Sequence, residues 1–216
     1  MPTATAVESW LATRRAELAL KRAIDIVVAV VLLFVLSPLL AVTALAIRLT
    51  SRGPAMFSQL RWGSRGQLFR CYKFRTMVVN PDVVFSANPA AAHPSDGSLL
   101  KMERDPRVTR IGAILRRSSI DELPQLLNVL RGEMSLVGPR PLMRHMLEPY
   151  PQLRDVRCSV RPGITGLWQI RDRAHSTSVL PMVAHDLEYI LGFSLRLDLR
   201  ILFATVGAVA SARGAF

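Results

Sequence analysis

The sequence predicts an α+β fold that is mainly helical and begins with a re-entrant membrane helix-break-helix. Three observations support this prediction: an uncharged apolar run at residues 26–47, two short strand-like runs around a glycine-containing turn, and a helical stripe of apolar residues at 120–130. The chain has 216 residues, enough for one domain with a substantial core. We therefore expect an N-terminal segment at 1–20, a membrane hairpin at 21–50 and a cytosolic domain at 51–216.

The composition points to a negatively charged partner. The formal net charge is +12, while half of the residues (50%) are hydrophobic. Nucleic acid, an anionic membrane and phosphorylated substrates would all suit this charge. The hydrophobic content favours the last two. The two cysteines, Cys71 and Cys158, have no metal-ligand spacing and are interpreted as reduced thiols in a cytosolic setting.

The apolar run at 26–47 is interrupted in its middle by Ser37-Pro38. Proline removes a backbone donor and clashes with the preceding turn, so the helix should break there, and Ser37 can satisfy a freed carbonyl. Both flanks are basic, so the positive-inside rule gives the run no preferred direction. Each half would be roughly 17 Å long, enough to reach the bilayer middle and return. The alternative is an ordinary transmembrane helix with a proline kink.

A β-hairpin is predicted next. Residues 56–62 and 68–77 form two strand-like runs separated by Gly63-Ser64-Arg65-Gly66. By strand alternation, Lys73 and Arg75 share one face of the second run. These two cations either contact a phosphate or belong to a solvated edge strand. Residues 80–98, rich in Ala, Pro, Ser and Asn, are interpreted as a surface loop.

The apolar stripe at 120–130 predicts a helix that ends at Gly132, which suits the position just after a helix C-terminus. Two starts are compatible with the sequence. Ser119 and Glu122 form a capping-box pattern, whereas Asp121 as the N-cap would place Pro124 where its missing N–H costs nothing. In both, the two acids lie in the first turn near the positive end of the helix dipole.

Adjacent carboxylates are costly unless cations, a metal or a helix N-terminus offset them. Around Asp121-Glu122 arginines outnumber acids, at positions 104, 107, 110, 116, 117, 131, 140 and 144. A carboxylate held ionised by such neighbours can attack phosphorus or bind Mg²⁺, and arginine forks neutralise phosphate oxygens. This pattern predicts a site that holds a metal and a phosphate together.

Arg140 lies between Pro139 and Pro141, which stiffen the backbone on both of its sides. A rigidly presented arginine suits anion recognition. The alternative is a proline-rich turn with an exposed arginine.

These motifs occur in an order that resembles one family. They are Lys21-Arg22-Ala23-Ile24-Asp25, Gly53-Pro54, Lys73-Phe74-Arg75-Thr76-Met77, Asp121-Glu122-Leu123-Pro124-Gln125, Met134-Ser135-Leu136-Val137-Gly138-Pro139-Arg140-Pro141 and Arg161-Pro162-Gly163-Ile164-Thr165-Gly166. Together they resemble the bacterial sugar transferase family, the monotopic polyprenyl-phosphate phosphoglycosyl transferases. The resemblance runs from Lys21 to the C-terminus, and it is to the minimal form, since no multi-helix membrane region precedes Lys21.

The resemblance implies an activity and a location. A sugar 1-phosphate would pass from a nucleotide diphosphate sugar, probably a UDP-sugar, to undecaprenyl phosphate, initiating exopolysaccharide, capsule, O-antigen or glycoprotein glycan assembly. Asp121 would form a covalent phosphosugar intermediate, assisted by Glu122 and by Mg²⁺ held by both acids. The catalytic domain would lie at the cytoplasmic face of the bacterial inner membrane, in contact with its lipids and with both termini cytoplasmic. A homo-oligomer is left open.

The resemblance also assigns substrate contacts and a membrane feature. Ser37 and Pro38 match the break in the family's re-entrant helix. The residues expected to contact substrate are Lys73, Arg75, Arg116, Arg117, Pro139, Arg140, Pro141 and Arg173. Arg173 follows Asp172, which replaces a glycine that the family often carries and adds a negative charge. A further pattern similar to the family's is formed by Asp186, Tyr189, Ser194 and Asp198.

A competing hypothesis is a membrane-tethered basic protein that binds nucleic acid or anionic lipid. It rests on the net charge and on the basic flanks of the apolar run. The sequence shows no stacking-aromatic or groove-reading motif, so we expect no nucleic-acid partner. Such a protein would bind with steep salt dependence and would not need Asp121.

Overall fold

The computed structural model describes residues 3–81, 105–172 and 179–210. The predicted surface loop lies almost entirely outside these ranges, and Arg173 lies outside them as well. In chain order the helices are α1 (Ala4–Ala12), α2 (Arg15–Val35), α3 (Ser37–Thr50), α4 (Arg110–Ser118), α5 (Gln125–Arg131), α6 (Arg144–Leu147), α7 (Pro151–Arg157), α8 (Leu167–Arg171), α9 (Val179–Leu191) and α10 (Leu195–Ala210). The strands are β1 (Met56–Trp62), β2 (Leu68–Phe74), β3 (Ser135–Val137) and β4 (Gly163–Thr165). The mainly helical α+β architecture is as predicted.

Helices α2 and α3 meet at a break with a bend of 61°. The Ser37 hydroxyl donates to the carbonyl of Phe34 (2.8 Å), and Pro38 lies in the first turn of α3, where its missing N–H leaves no acceptor unpaired. The predicted break at Ser37-Pro38 is therefore confirmed. Within the described ranges no helix taken alone has the length and apolar character to cross a bilayer, whereas α2 and α3 together meet those criteria.

Three charged side chains near the middle of α2 attach it to the rest of the protein. Lys21 Nζ pairs with Asp198 in α10 (2.6 Å), and the Asp25 carboxylate accepts a hydrogen bond from the backbone of β3 (3.1 Å). Arg22 donates to two carbonyls in the last turn of α5 (2.7 and 3.2 Å). These contacts fix α2 against α5, β3 and α10.

The β-hairpin is confirmed, with β1 and β2 antiparallel and Met56 opposite Phe74. Strand β2 ends at Phe74 and does not continue to residue 77 as predicted. Beyond Phe74 the partner chain turns away at Gly53-Pro54, and Met77 forms an isolated bridge with Val108. The strand ends where its partner does.

The parallel pair β3–β4 carries the Pro-Arg-Pro segment. The main core packs around this pair, between α2, α5, α9 and α10. A Cβ at Gly163 would lie 2.1 Å from the backbone nitrogen of Gly138, so both strands need glycine at their crossing point. This close approach places Arg140, two residues beyond Gly138, at the end of β3.

The predicted helix at 120–130 is wrong at its start and correct at its end. Residues Ile120–Glu122 form a 3₁₀ turn, and α5 begins only after Pro124, which occupies its N-cap position. Neither predicted cap occurs: the turn has no side-chain capping bond, and Pro124 has no N–H with which to continue a helix ladder from Ile120. Gly132 ends α5 in the left-handed region with φ 81°.

Candidate active site

Asp121 and Glu122 lie in the tight turn between α4 and α5. Asp121 is 8% exposed. Glu122 Oε1 accepts from Lys73 Nζ at 2.6 Å and from Arg140 Nη2 at 3.1 Å. Because Lys73 comes from β2 and Arg140 from the end of β3, three separate segments of the chain meet at one carboxylate oxygen.

The environment of Asp121 gives its carboxyl an unusual proton affinity. Burial, and secondarily the negative charge of Glu122, raise the pKa of Asp121 to about 6. Lys73, Arg116 and Arg140 act in the opposite direction. The carboxylate is therefore mostly ionised at neutral pH, poorly hydrated and surrounded by cations, which suits a nucleophile that must approach a phosphate anion.

Arg116 and Arg117 are adjacent in α4 and have different surroundings. Arg116 is partly buried, its Nε donates to Thr76 Oγ1 (3.0 Å), and its charge favours ionised Asp121. Arg117 is exposed, and no hydrogen bond or ion pair joins it to the dyad in the part of the chain that the structure describes. Of the two predicted substrate-binding residues, only Arg116 lies at the dyad.

Lys73 and Arg75 were predicted to share one face, and the structure separates them. Arg75 is buried and turns toward the end of α3. It donates to the Ser51 hydroxyl (2.8 Å) and to the carbonyls of Ser51 (3.0 Å) and Arg52 (2.6 Å). The Arg75 guanidinium thus fixes the residues that follow α3, whereas the Lys73 side chain contacts Glu122.

Arg61 is a fourth cation near the dyad, and it was not among the residues predicted from the sequence. It donates to the carbonyl of Pro141 (3.2 Å), and its pKa is lowered to about 10 by burial and by the nearby charge of Arg140. The hairpin register contained a signal for it, because Arg61, Cys71 and Lys73 point to the same face. They line a small cavity with Glu122, Gln125, Arg140 and Pro141.

Arg140 also lies over an aromatic ring, with its guanidinium carbon 5.8 Å from the centroid of the Trp168 ring in α8. Asp172, at the end of α8, has φ −136°, a conformation open to any residue. The chain therefore does not need glycine at that position.

The donor set at the turn fits a magnesium ion held jointly with a substrate. Among the described residues no group of three or more His, Cys, Asp or Glu side chains could hold a metal. Asp121 and Glu122 supply two hard carboxylate groups. Mg²⁺ characteristically uses one or two carboxylates and takes the rest of its ligands from substrate phosphates and water.

A larger cavity of about 430 Å³ shares no lining residue with the dyad's cavity. Its charged lining includes Lys21, Arg22, Asp25 and Arg161. Lys21 and Asp25 take part in the attachment of α2, while Arg22 and Arg161 cap carbonyls at the end of α5. Apart from Arg65, the charged residues of this lining thus have structural partners, so we place the chemistry at Asp121-Glu122.

Comparison with known proteins identifies the family. A profile described as bacterial sugar transferase matches residues 16–212. The exopolysaccharide production protein ExoY of Sinorhizobium fredii (strain NBRC 101917 / NGR234) is 43% identical over 200 residues, covering 91% of this chain and 88% of the relative.

Two longer relatives match over a smaller share of their own length. The undecaprenyl-phosphate galactose phosphotransferase of Salmonella typhimurium is 39% identical, with 94% of this chain and 43% of the relative covered. The UDP-glucose:undecaprenyl-phosphate glucose-1-phosphate transferase of Escherichia coli K12 is 44% identical, with 87% and 39% covered. The profile match over nearly the whole chain, together with the 43% identity to ExoY across 91% of it, establishes that the chain belongs to the bacterial sugar transferase family.

Proposed function

We propose that the protein transfers a sugar 1-phosphate from a UDP-sugar to undecaprenyl phosphate and thereby starts a surface polysaccharide. The observation that carries the proposal is the Asp121-Glu122 turn with Lys73 and Arg140 on one Glu122 oxygen. One relative is named as an undecaprenyl-phosphate galactose phosphotransferase and a second as a UDP-glucose:undecaprenyl-phosphate glucose-1-phosphate transferase. A third is named as an exopolysaccharide production protein.

In the first step a carboxylate oxygen of Asp121 attacks the phosphorus that bears the sugar. A bond forms from Asp121 to that phosphorus, and the bond to the bridging oxygen breaks, so that UMP leaves with the electron pair. Burial of Asp121 limits hydrolysis of the resulting acyl phosphate by water. Arg116 and Arg140 offer positive charge to the phosphate oxygens on which negative charge accumulates.

In the second step a phosphate oxygen of undecaprenyl phosphate attacks the same phosphorus. Asp121 leaves as a carboxylate, and the product is a lipid diphosphate sugar. Glu122 stays in place through both steps because Lys73 and Arg140 hold it. Mg²⁺ bound to the two carboxylates would supply further charge neutralisation at the diphosphate.

The bent helix pair provides the route to the lipid substrate. Large apolar side chains on its surface are exposed, among them Phe34 (81%) and Leu49 (76%). Exposure of this extent favours burial in a membrane over contact with water. We propose that α2 and α3 enter the inner membrane from the cytoplasmic side and return, with both termini cytoplasmic, which keeps the dyad near the lipid phosphates.

A donor panel tests the function. The purified protein in undecaprenyl-phosphate-containing nanodiscs is offered UDP-glucose, UDP-galactose and UDP-N-acetyl sugars with Mg²⁺, and UMP release is measured. We expect sustained release with at least one donor, dependent on the acceptor, and its loss with EDTA. A membrane-tethered binding protein would release no UMP with any donor.

The membrane topology is tested with reporters fused at each end. Both reporters should be cytoplasmic in the wild type. Removing the break with Ser37→Ala and Pro38→Ala lets α2 continue into α3, so we expect part of the population to cross, with the C-terminal reporter in the periplasm. Pro54→Ala, outside the bent pair, is the matched control and should leave both reporters cytoplasmic. A periplasmic C-terminus in the wild type would refute the re-entrant arrangement.

A further inference from the structure

The buried ion pair Arg157–Asp186 contacts the backbone of Arg140. Arg157 in α7 donates from Nε and Nη2 to Asp186 Oδ2 in α9, at 2.9 and 2.6 Å. The side chains of Arg157 and Asp186 are only 4% and 1% exposed. The same Nη2 donates to the carbonyl of Arg140 at 2.7 Å. One guanidinium therefore links α9 to the residue that contacts Glu122.

The electrostatics of Asp186 tie it to the same residue. Burial raises the pKa of Asp186, while the charge of Arg157 and the backbone N–H of Arg140 favour its ionised form. Among the described residues, Asp186 Oδ1 accepts no hydrogen bond of normal geometry. The ion pair thus acts on both the N–H and the carbonyl of Arg140.

The Pro-Arg-Pro segment depends on such external contacts. Prolines have no N–H, so Pro139 and Pro141 cannot fix this segment by donating to a neighbour. Its carbonyls are held instead: Pro139 accepts from the backbone of Gly163 (2.8 Å), and Pro141 accepts from Arg61 (3.2 Å). The Arg140 carbonyl, between them, is held by Arg157.

The contribution of the Arg157–Asp186 pair to the stability of the fold does not by itself explain why two charges are buried here. Burying two charges costs about as much as their attraction returns, and replacing such a pair by apolar residues is often neutral or stabilising. We propose that Arg157 and Asp186 are positioning residues that fix Arg140 so that its guanidinium meets Glu122 at the reacting phosphates. This inference rests on the proposed function.

The test removes both charges together, so that neither is left buried alone. The variant Arg157→Met/Asp186→Leu keeps an apolar, filled site. Removing the two charges together should change the melting temperature little, apart from a small decrease for the hydrogen bond lost at the Arg140 carbonyl. We expect kcat/KM for UMP release to fall about tenfold to a hundredfold, because Arg140 is no longer held in place. The exposed pair in Arg144→Gln/Glu148→Gln, on the helix that follows Pro-Arg-Pro, is the matched control and should keep wild-type kcat/KM.

A double-mutant cycle separates positioning from a general structural role. In an Arg140→Gln background the same pair replacement should cause little further loss, since the residue through which it acts is already gone. Wild-type activity in the pair variant, or losses that add fully to that of Arg140→Gln, would overturn the inference. If the apolar pair lowers the melting temperature by more than this small decrease, Arg157→Gln/Asp186→Asn carries the same comparison. Failure of the proposed function is distinct, since the wild type itself would then release no UMP.

Discussion

Replacing Asp121 with asparagine is expected to abolish turnover and at the same time to make the protein more resistant to heat. Asparagine keeps the shape of the side chain but is a far weaker nucleophile toward phosphorus, so UMP release should fall by about a thousandfold or more. The gain in stability follows from the raised pKa of Asp121, because its folded environment disfavours the charged form. Function and stability are therefore opposed at this residue.

The pH dependence of this stability gain has a definite sign. The pKa of Asp121 is about 6 in the folded protein, above the ordinary value of 3.8. Between these values the folded state binds more protons than the unfolded state, so the contribution of Asp121 to stability falls as the pH rises and stays low above pH 6. The asparagine variant should thus melt several degrees above the wild type at pH 8, with the gap closing near pH 4.

Thermal unfolding at both pH values, together with UMP release at pH 8, checks this prediction. Asp155→Asn, a half-exposed acid on α7, is the control and should change neither quantity appreciably. A variant that turns over normally would end the assignment of Asp121. Equal melting temperatures at pH 8 would instead contradict the strained environment of its carboxylate.

Replacing Glu122 with glutamine is expected to reduce both activity and stability. Glu122 is the common acceptor of Lys73 and Arg140, and without its charge the two cations repel each other in a partly buried site. Removing one partner of a fully buried pair costs roughly 3–5 kcal/mol. Here the side chains are 12–25% exposed, so we expect on the order of 2 kcal/mol. UMP release should fall about a hundredfold, since Arg140 loses its anchor and the proposed Mg²⁺ would lose one of its two carboxylates.

The expected changes in melting temperature have opposite signs at these two adjacent acids. Asp121→Asn should raise the melting temperature at pH 8, and Glu122→Gln should lower it. Glu148→Gln, an exposed acid on α6, serves as the control. If Glu122→Gln is as stable and as active as the wild type, the ion pairs at Oε1 do not organise the site.

The features that could be predicted from sequence are those encoded by neighbouring residues. Pro38 dictates a break wherever the chain continues as a helix, and Gly132 suits the end of α5 in any tertiary context. The start of α5 was mispredicted because the patterns at Ser119 and Asp121 suggested caps. Both predicted starts place Pro124 within the helix, whereas in the structure Pro124 is the N-cap of α5.

Contacts between distant segments could not be predicted in the same way. Lys73 and Glu122 are 49 positions apart, and only the packing of the hairpin against the turn joins them. The same packing brings Arg61 beside Arg140, whereas Arg75, two residues from Lys73, faces α3. The Arg157–Asp186 pair behind Arg140 spans 29 positions, and no local pattern marks it.

The central claim, that Asp121 carries the phosphosugar, is tested most directly by intact-protein mass spectrometry. The protein is mixed with the active UDP-sugar without undecaprenyl phosphate, quenched and analysed, and the adduct is located by peptide mapping. We predict a mass increase of one phosphosugar on the peptide that contains Asp121, lost on addition of the lipid acceptor and absent from Asp121→Asn. Turnover without any adduct, or the same adduct on the asparagine variant, would contradict the claim.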